Sequence, residues 1–175
     1  PDNWMDEAYR TSFRQEYNVN ISGATQRSNF YASIGYLDNK GIIKSSEMNR
    51  FTARLKGDYQ AKKWLKVGAN FSYTHFYWSN GNDDEGSSGS TANIFAFASQ
   101  MAPIYPVYIR DGNGNIMIDE HGYRMYDYGS KGNAGHTRPF ISDANALQTS
   151  WLNKSHSEGN ALSANGFADF LLYKG

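Results

Sequence analysis

One stretch constrains this chain more than any other. Leu65, Val67, Ala69, Phe71 and Tyr73 alternate without a break with Lys66, Gly68, Asn70, Ser72 and Thr74. A period of two puts one set on each face of a β-strand. The pattern recurs. Phe13, Tyr17, Val19 and Ile21 oppose Arg14, Glu16, Asn18 and Asn20. Phe30, Ala32, Ile34 and Tyr36 oppose Asn29, Tyr31, Ser33 and Gly35. Phe51, Ala53, Leu55 and Tyr59 oppose Thr52, Arg54, Lys56 and Asp58, a charged face that must stay wet. Towards the end, Leu162, Ala164, Ala168, Phe170 and Leu172 oppose Ser163, Asn165 and Asp169. The reading is all-β, with about five strands over 13–22, 29–37, 51–60, 64–77 and 161–173.

The connections alternate between short (23–28 and 61–63) and long (38–50 and 79–160). Within 79–160, residues 79–93 are a Gly/Ser-rich loop. Ile94 to Met101 reads as a short helix ended by Pro103. Asp111-Gly112-Asn113-Gly114 sits between two apolar runs as a hairpin turn. Residues 129–139 are irregular, and a second helix is expected over 143–153 with Asp143 as its N-cap. Short turns at one end and long loops at the other match a transmembrane β-barrel, as do strands of about ten residues. On that reading Leu65, Val67, Ala69, Phe71 and Tyr73 face lipid. Arg54, Lys56, Asp58, Lys66, Asn70 and Ser72 face the lumen. Tyr59 and Trp64 flank a short turn, and Tyr73, Tyr77 and Trp78 flank the long loop, as two aromatic girdles would. A half-exposed soluble sheet shows the same alternation, and on these features alone the two readings stand level.

Composition narrows the function classes. Lys+Arg and Asp+Glu are 17 each, so the basic surplus of a nucleic-acid binder is missing. Aromatics reach 15% while hydrophobic residues are only 39%, too aromatic for disorder yet lean for a self-filling core. The aromatic mass therefore belongs on surfaces. Cysteine is absent, which removes disulfides, thiolate metal sites and thiol nucleophiles. No apolar run is long enough for a transmembrane helix. The chain opens at Pro1 without a leader and closes while a strand pattern is still running, so both ends are expected to be cut from something larger.

Chemistry finds no foothold. His75, His121, His136 and His156 lack metal-ligand spacing. Asp111, Asn113 and Asn115, with Asp119 and Glu120 beyond, echo a calcium loop over 111–120. The twelfth position is Gly122, however, and a plain hairpin turn is the stronger reading. Asn82-Asp83-Asp84-Glu85 reads as a solvated loop tip. No G-x-S-x-G, H-E-x-x-H or P-loop motif occurs. The expectation is a non-enzyme without cofactor or metal.

Several ordered segments carry a resemblance: Asp2-Asn3-Trp4-Met5-Asp6-Glu7, Gln15-Glu16-Tyr17-Asn18-Val19-Asn20-Ile21-Ser22-Gly23, Tyr31-Ala32-Ser33-Ile34-Gly35-Tyr36-Leu37 with Gly41-Ile42-Ile43-Lys44, Lys63-Trp64-Leu65-Lys66-Val67-Gly68, Met101-Ala102-Pro103-Ile104-Tyr105-Pro106-Val107, and Tyr126-Asp127-Tyr128-Gly129. In this order they resemble the first barrel strands of SusC/RagA-type TonB-linked outer membrane transporters of the Bacteroidetes, across essentially the whole chain. The resemblance implies a share in a large antiparallel transmembrane barrel, with residues 1–175 as a partial barrel lacking the plug domain and most strands. It implies TonB-dependent import of oligosaccharides or peptides across the outer membrane. The implied partners are a SusD-like lipoprotein lid, the TonB complex through the missing N-terminal part, and outer membrane lipid. The segment 79–160 would then be extracellular, with Trp78, Tyr105, Tyr108, Tyr126 and Tyr128 as candidate contacts to lid or substrate. The alternatives are a secreted or surface soluble β-domain that binds carbohydrate through aromatics and a β-rich hydrolase.

Overall fold

The computed structural model describes residues 2–80, 93–130 and 135–172. The Gly/Ser-rich tract with its acidic tip at 82–85, part of the irregular stretch 129–139, and Tyr173 lie outside the described residues. In chain order the elements are α1 (Trp4–Ala8), β1 (Phe13–Ala24), β2 (Ser28–Lys40), β3 (Glu47–Lys62), β4 (Leu65–Asn80), α2 (Ile94–Gln100), α3 (Ala146–Leu152) and β5 (Ser155–Phe170). The chain divides into two units. One is the sheet, Ser12–Lys40, Glu47–Trp78 and His156–Gly175; the other comprises Pro1–Thr11, Gly41–Ser46 and Ser79–Ser155.

The sheet has five strands in the order β1-β2-β3-β4-β5, with β2 antiparallel to both β1 and β3. Register keeps the apolar parity together. Val19 pairs with Ile34 and Ile21 with Ala32; Ile34 pairs with Ala53 and Ala32 with Leu55. The row reaches β4, where the Tyr73 ring lies 6.3 Å from that of Phe51. The opposite face carries its own polar chain. Asn29 Nδ2 donates to Asp58 Oδ1 at 3.0 Å, and Lys66 Nζ meets the same oxygen at 3.1 Å. Phe30, Phe167 and Phe76 lay their rings where a side chain on Gly23, Gly68 or Gly159 would stand. Each pair fills a gap in the pleat that the glycine leaves open.

The strands run longer than their hydrophobic alternation. β2 continues through Asp38, Asn39 and Lys40, where the sequence pattern ends at 37, and β3 begins at Glu47 rather than 51. These polar residues stay in register, Asp38 opposite Gln15 and Asn49, Lys40 opposite Phe13 and Glu47. The backbone ladder holds them without a hydrophobic signal. β5 starts at Ser155, not 161, and ends at Phe170. The connections at one end of the strands are therefore 25–27 and 63–64. Those at the other are 41–46 and 81–154, with residues 1–12 leading into β1.

The second unit has a core of its own. Trp4, Ala8, Ile94, Phe97, Ala98 and Met101 are buried together with Val107, Tyr108, Ala144 and Ala146. Trp4 anchors it: its ring sits 5.2 Å from Phe97 and its Nε1 donates to Tyr105 O at 2.8 Å. Helix α1 carries this anchor on too few residues to show a helical period. α3 is capped by Asn145, whose Oδ1 accepts from the Gln148 amide. Asp143, the expected cap, instead sits at φ 63, outside the extended geometry an N-cap needs.

Residues 107–130 hold a repeat of eight. Ile109, Met117 and Met125 recur at that spacing, as do Asp111, Asp119 and Asp127. The hydrogen bonds follow the repeat. Ile109 N donates to Met125 O, Met125 N to Met117 O and Met117 N to Ile109 O, closing a ring. Three further bonds clasp the corners of the repeat: Asp111 N to Asn115 O, Asp119 N to Tyr123 O and Asp127 N to Val107 O. Each aspartate also caps its own turn: Asp111 Oδ1 accepts from the amides of Asn113 and Asn115, and Asp119 Oδ1 from those of His121 and Tyr123. Gly114 and Gly122 sit at φ 87 and 84, the left-handed region that favours glycine. The expected single hairpin is thus two turns of a three-part ring.

Candidate functional site

The sheet exposes its apolar parity. Val19 is 72% exposed, Leu162 68% and Leu55 57%, and Phe13, Tyr17, Ile21, Phe30, Ile34 and Phe170 are exposed with them. Among the sheet's described residues only Leu37 is a buried hydrophobic side chain. Burying a side chain of this size is worth about 1.5–3 kcal/mol, so a continuous row left open is costly in water. Apolar surface on this scale marks an interaction face. Of the residues singled out from sequence, Val67, Ala69 and Phe71 are exposed on this face and Leu65 and Tyr73 are half-buried. The Tyr73 hydroxyl donates to Asn160 Oδ1 at 2.6 Å. At the short-turn end Trp64 stacks on Phe170 at 6.2 Å; at the other end Tyr77 stacks on His156 at 6.4 Å. Strand alternation sets Trp78 on the opposite, polar face with Lys66 and Thr74.

The loop-bearing unit builds a cleft of about 990 Å³ between the three-part ring and α3. Tyr108, Tyr126 and Tyr128 line it, as do Tyr123 and Trp151. Its polar lining includes Asp119, Arg124 and Gln148. Three of the five aromatics expected as contacts therefore converge. Tyr105 does not join them: it packs edge-on against Phe140 at 6.0 Å. Trp78 belongs to the sheet unit. Tyr123 and Trp151 escaped the sequence reading. The only signal for Tyr123 was its place after the second Asp-x-x-Gly turn, and Trp151 looked like an apolar helix position.

The cleft rests on a tightly bonded frame. Asn145 is fully buried; its Nδ2 donates to Val107 O at 3.2 Å and Asp127 O at 2.9 Å. One amide thus ties the ring to the start of α3. Asp127, also buried, accepts from the amides of Gly129 and His136. Arg138 lies 5.8 Å above the Trp4 ring and 5.6 Å above that of Phe97. Its guanidinium occupies the space where a Gly129 side chain would be, and burial lowers its pKa against the pull of Asp127.

Tyr108 donates to Glu7 Oε2 at 3.0 Å under the Arg124 guanidinium, 5.4 Å from its ring centre. Burial chiefly holds this phenol above its ordinary pKa, so it stays neutral. The Tyr128 hydroxyl donates to Gln148 Oε1 at 2.6 Å. In the 111–120 loop, Asp111 Oδ1 accepts from the amides of Asn113 and Asn115, and its Oδ2 accepts from Asn115 Nδ2. Among the described residues no three His, Asp or Glu side chains gather as a metal cluster.

A sheet with one polar and one exposed apolar face, fed by short turns at one end and long loops at the other, has the make-up of a β-barrel wall. Comparison with known proteins shows similarity to TonB-dependent receptors, among them SusC and a chain of the RagAB importer. No family model matches the chain. A TonB-dependent receptor of Formosa agariphila is 34% identical over 71 residues, 41% of this chain and 7% of that receptor. A second from that organism is 27% identical over 116 residues, 66% of this chain and 11% of the receptor. The TonB-dependent receptor SusC of Bacteroides thetaiotaomicron is 38% identical over 50 residues, 29% of this chain and 5% of SusC. Among solved structures, a chain of the RagAB peptide importer in its closed-closed state superposes with a TM-score of 0.63 at 25% identity, over 99% of this chain and 17% of that one. The chain thus corresponds to a small part of each relative.

Proposed function

We propose that this chain supplies barrel wall and outer loops to a TonB-dependent transporter of the Bacteroidetes outer membrane, one that imports nutrient oligosaccharides or peptides beneath a SusD-like lipoprotein lid. The exposed apolar face carries the reading. A barrel wall meets hydrocarbon on one side and a watery lumen on the other, so alternate residues want opposite media. Leu65, Val67, Ala69, Phe71 and Tyr73 face lipid, and Trp64 and Tyr77 sit near the two interfaces. Asn29, Asp58 and Lys66 face the lumen. The TonB complex energises import, and the role is transport, without catalysis, cofactor or metal. Tyr105, Tyr108, Tyr126, Tyr128 and Trp78 remain the contacts proposed for lid or substrate. Cell fractionation tests the reading: the protein carrying this chain should sediment with outer membranes and need detergent to leave them. Recovery in a detergent-free soluble fraction would overturn it.

A further inference from the structure

We infer that the cleft between the three-part ring and α3 is a binding site for a neutral oligosaccharide, read by Tyr123 and Trp151. The inference deepens the transport reading and rests on it for its purpose.

The two rings come from different elements and lie outside the unit's core. Tyr123 is 61% exposed and Trp151 53%, while Trp4, Phe97 and Tyr108 of the same unit are buried. Their centroids are 6.3 Å apart at an interplanar angle of 54°, so they form a corner with open ring faces. A sugar ring presents a flat patch of C–H groups to such a face and directs its hydroxyls outward. Both platforms are fixed in advance. Tyr123 is tied through its amide to Asp119 Oδ1 at 2.8 Å and through its carbonyl to Asp119 N at 2.8 Å. Trp151 rides on α3, whose cap Asn145 is locked to the ring. Rigid mounting reduces the ordering cost of binding.

The polar lining fits hydroxyls. Each hydroxyl both donates and accepts, so its site needs donors and acceptors side by side. The Arg124 guanidinium and Gln148 Nε2 donate, and Asp119 Oδ2 accepts. With Oε1 of Gln148 occupied by Tyr128, the amide's two protons turn to the cleft or to solvent. Asp119 and Arg124 are the charged residues of the lining and cancel. The cleft therefore offers no net charge for a phosphorylated or uronic-acid ligand. Its volume reaches the upper end of the roughly 300–1,000 Å³ usual for ligand sites, room for several sugar rings.

The test uses the membrane protein that carries this chain, purified in detergent. Maltohexaose, xylohexaose and mannohexaose are titrated by calorimetry beside a neutral hexapeptide with blocked ends. At least one hexasaccharide should bind with Kd of about 1 mM or below. Trp151→Ala and Tyr123→Ala should each weaken it about tenfold or more, Trp151→Phe and Tyr123→Phe should retain it within a few-fold, and Trp64→Ala should leave it unchanged. Three results would each overturn the inference: no hexasaccharide binds, only the peptide binds, or binding is indifferent to both alanine variants. Every variant is first checked for outer membrane location. A protein that sits in the membrane yet ignores sugars sinks this inference alone, whereas one that never reaches it sinks the transport reading.

Discussion

The Phe167 ring on β5 occupies the place a side chain would take on Gly68 of β4. The two strands thus meet on the polar face through one aromatic ring and a bare backbone. A branched side chain at 68 must displace both the ring and the Gly57 carbonyl, 3.0 Å from the ideal Cβ position. Overpacking of this kind costs about 1–3 kcal/mol. Gly68→Val should lower the urea midpoint of the folded barrel in detergent, and Phe167→Ala in the same chain should recover part of the loss. An unchanged midpoint would mean that the contact is easily relaxed.

The two faces of β4 should respond differently to charge. On the proposed barrel reading, Val67→Arg or Phe71→Arg places a guanidinium towards lipid, at about 2–4 kcal/mol near the bilayer midplane. On the same reading Asn70→Arg adds that group to the lumenal side and should be far milder. The amount of heat-modifiable barrel in outer membranes reports the difference. Equal losses from both faces would contradict the assignment.

Asn145→Ala removes an N-cap and the donor shared by Val107 O and Asp127 O. The cap alone is worth about 0.5–2 kcal/mol, and the Asp127 carbonyl stripped of this donor adds about 1–3 kcal/mol, while Val107 O keeps the Asp127 amide. Limited proteolysis between residues 93 and 154 should quicken by at least tenfold while the strands stay protected.

Acid should loosen the turns before the sheet. Hydrogen bonds from the Asn115 side chain and amide, then those of Asn113 and Gly114, hold the Asp111 carboxyl below its ordinary pKa. A carboxylate held low in the folded state stabilises it at every pH above the unfolded value of about 3.9. That contribution fades as pH falls through the lower folded value. Amide exchange at Asn113 and Asn115, corrected for its intrinsic pH dependence, should therefore rise in that window. Asp111→Asn should show fast exchange at neutral pH and little further change on acidification.

Much of the sheet was legible because its two faces differ in polarity, and a period of two is written in the residue order. The strand ends were not. Asp38, Asn39 and Lys40 extend β2 by ladder hydrogen bonds, which leave no trace in hydropathy. The cap of α3 was misplaced because Asp143 and Asn145 are equally good cap types, and only the left-handed φ of Asp143 separates them. The cleft was half visible. Tyr108, Tyr126 and Tyr128 stood out as aromatics in a loop, but convergence with Trp151 depends on a ring closed by hydrogen bonds between residues eight and sixteen apart. That ring does have a sequence trace, the recurrence of Asp111, Asp119 and Asp127, which reads as ordinary turn chemistry until the carbonyl partners are known.

Because the amide ring closes at Ile109, Met117 and Met125 and each exposed tip is held by its own aspartate, the tips and the ring rest on separate sets of hydrogen bonds. Residues 112–113 and 120–121 can therefore vary while Gly114 and Gly122 keep their turns and the ring keeps its shape, so the surface of this unit can change one fingertip at a time.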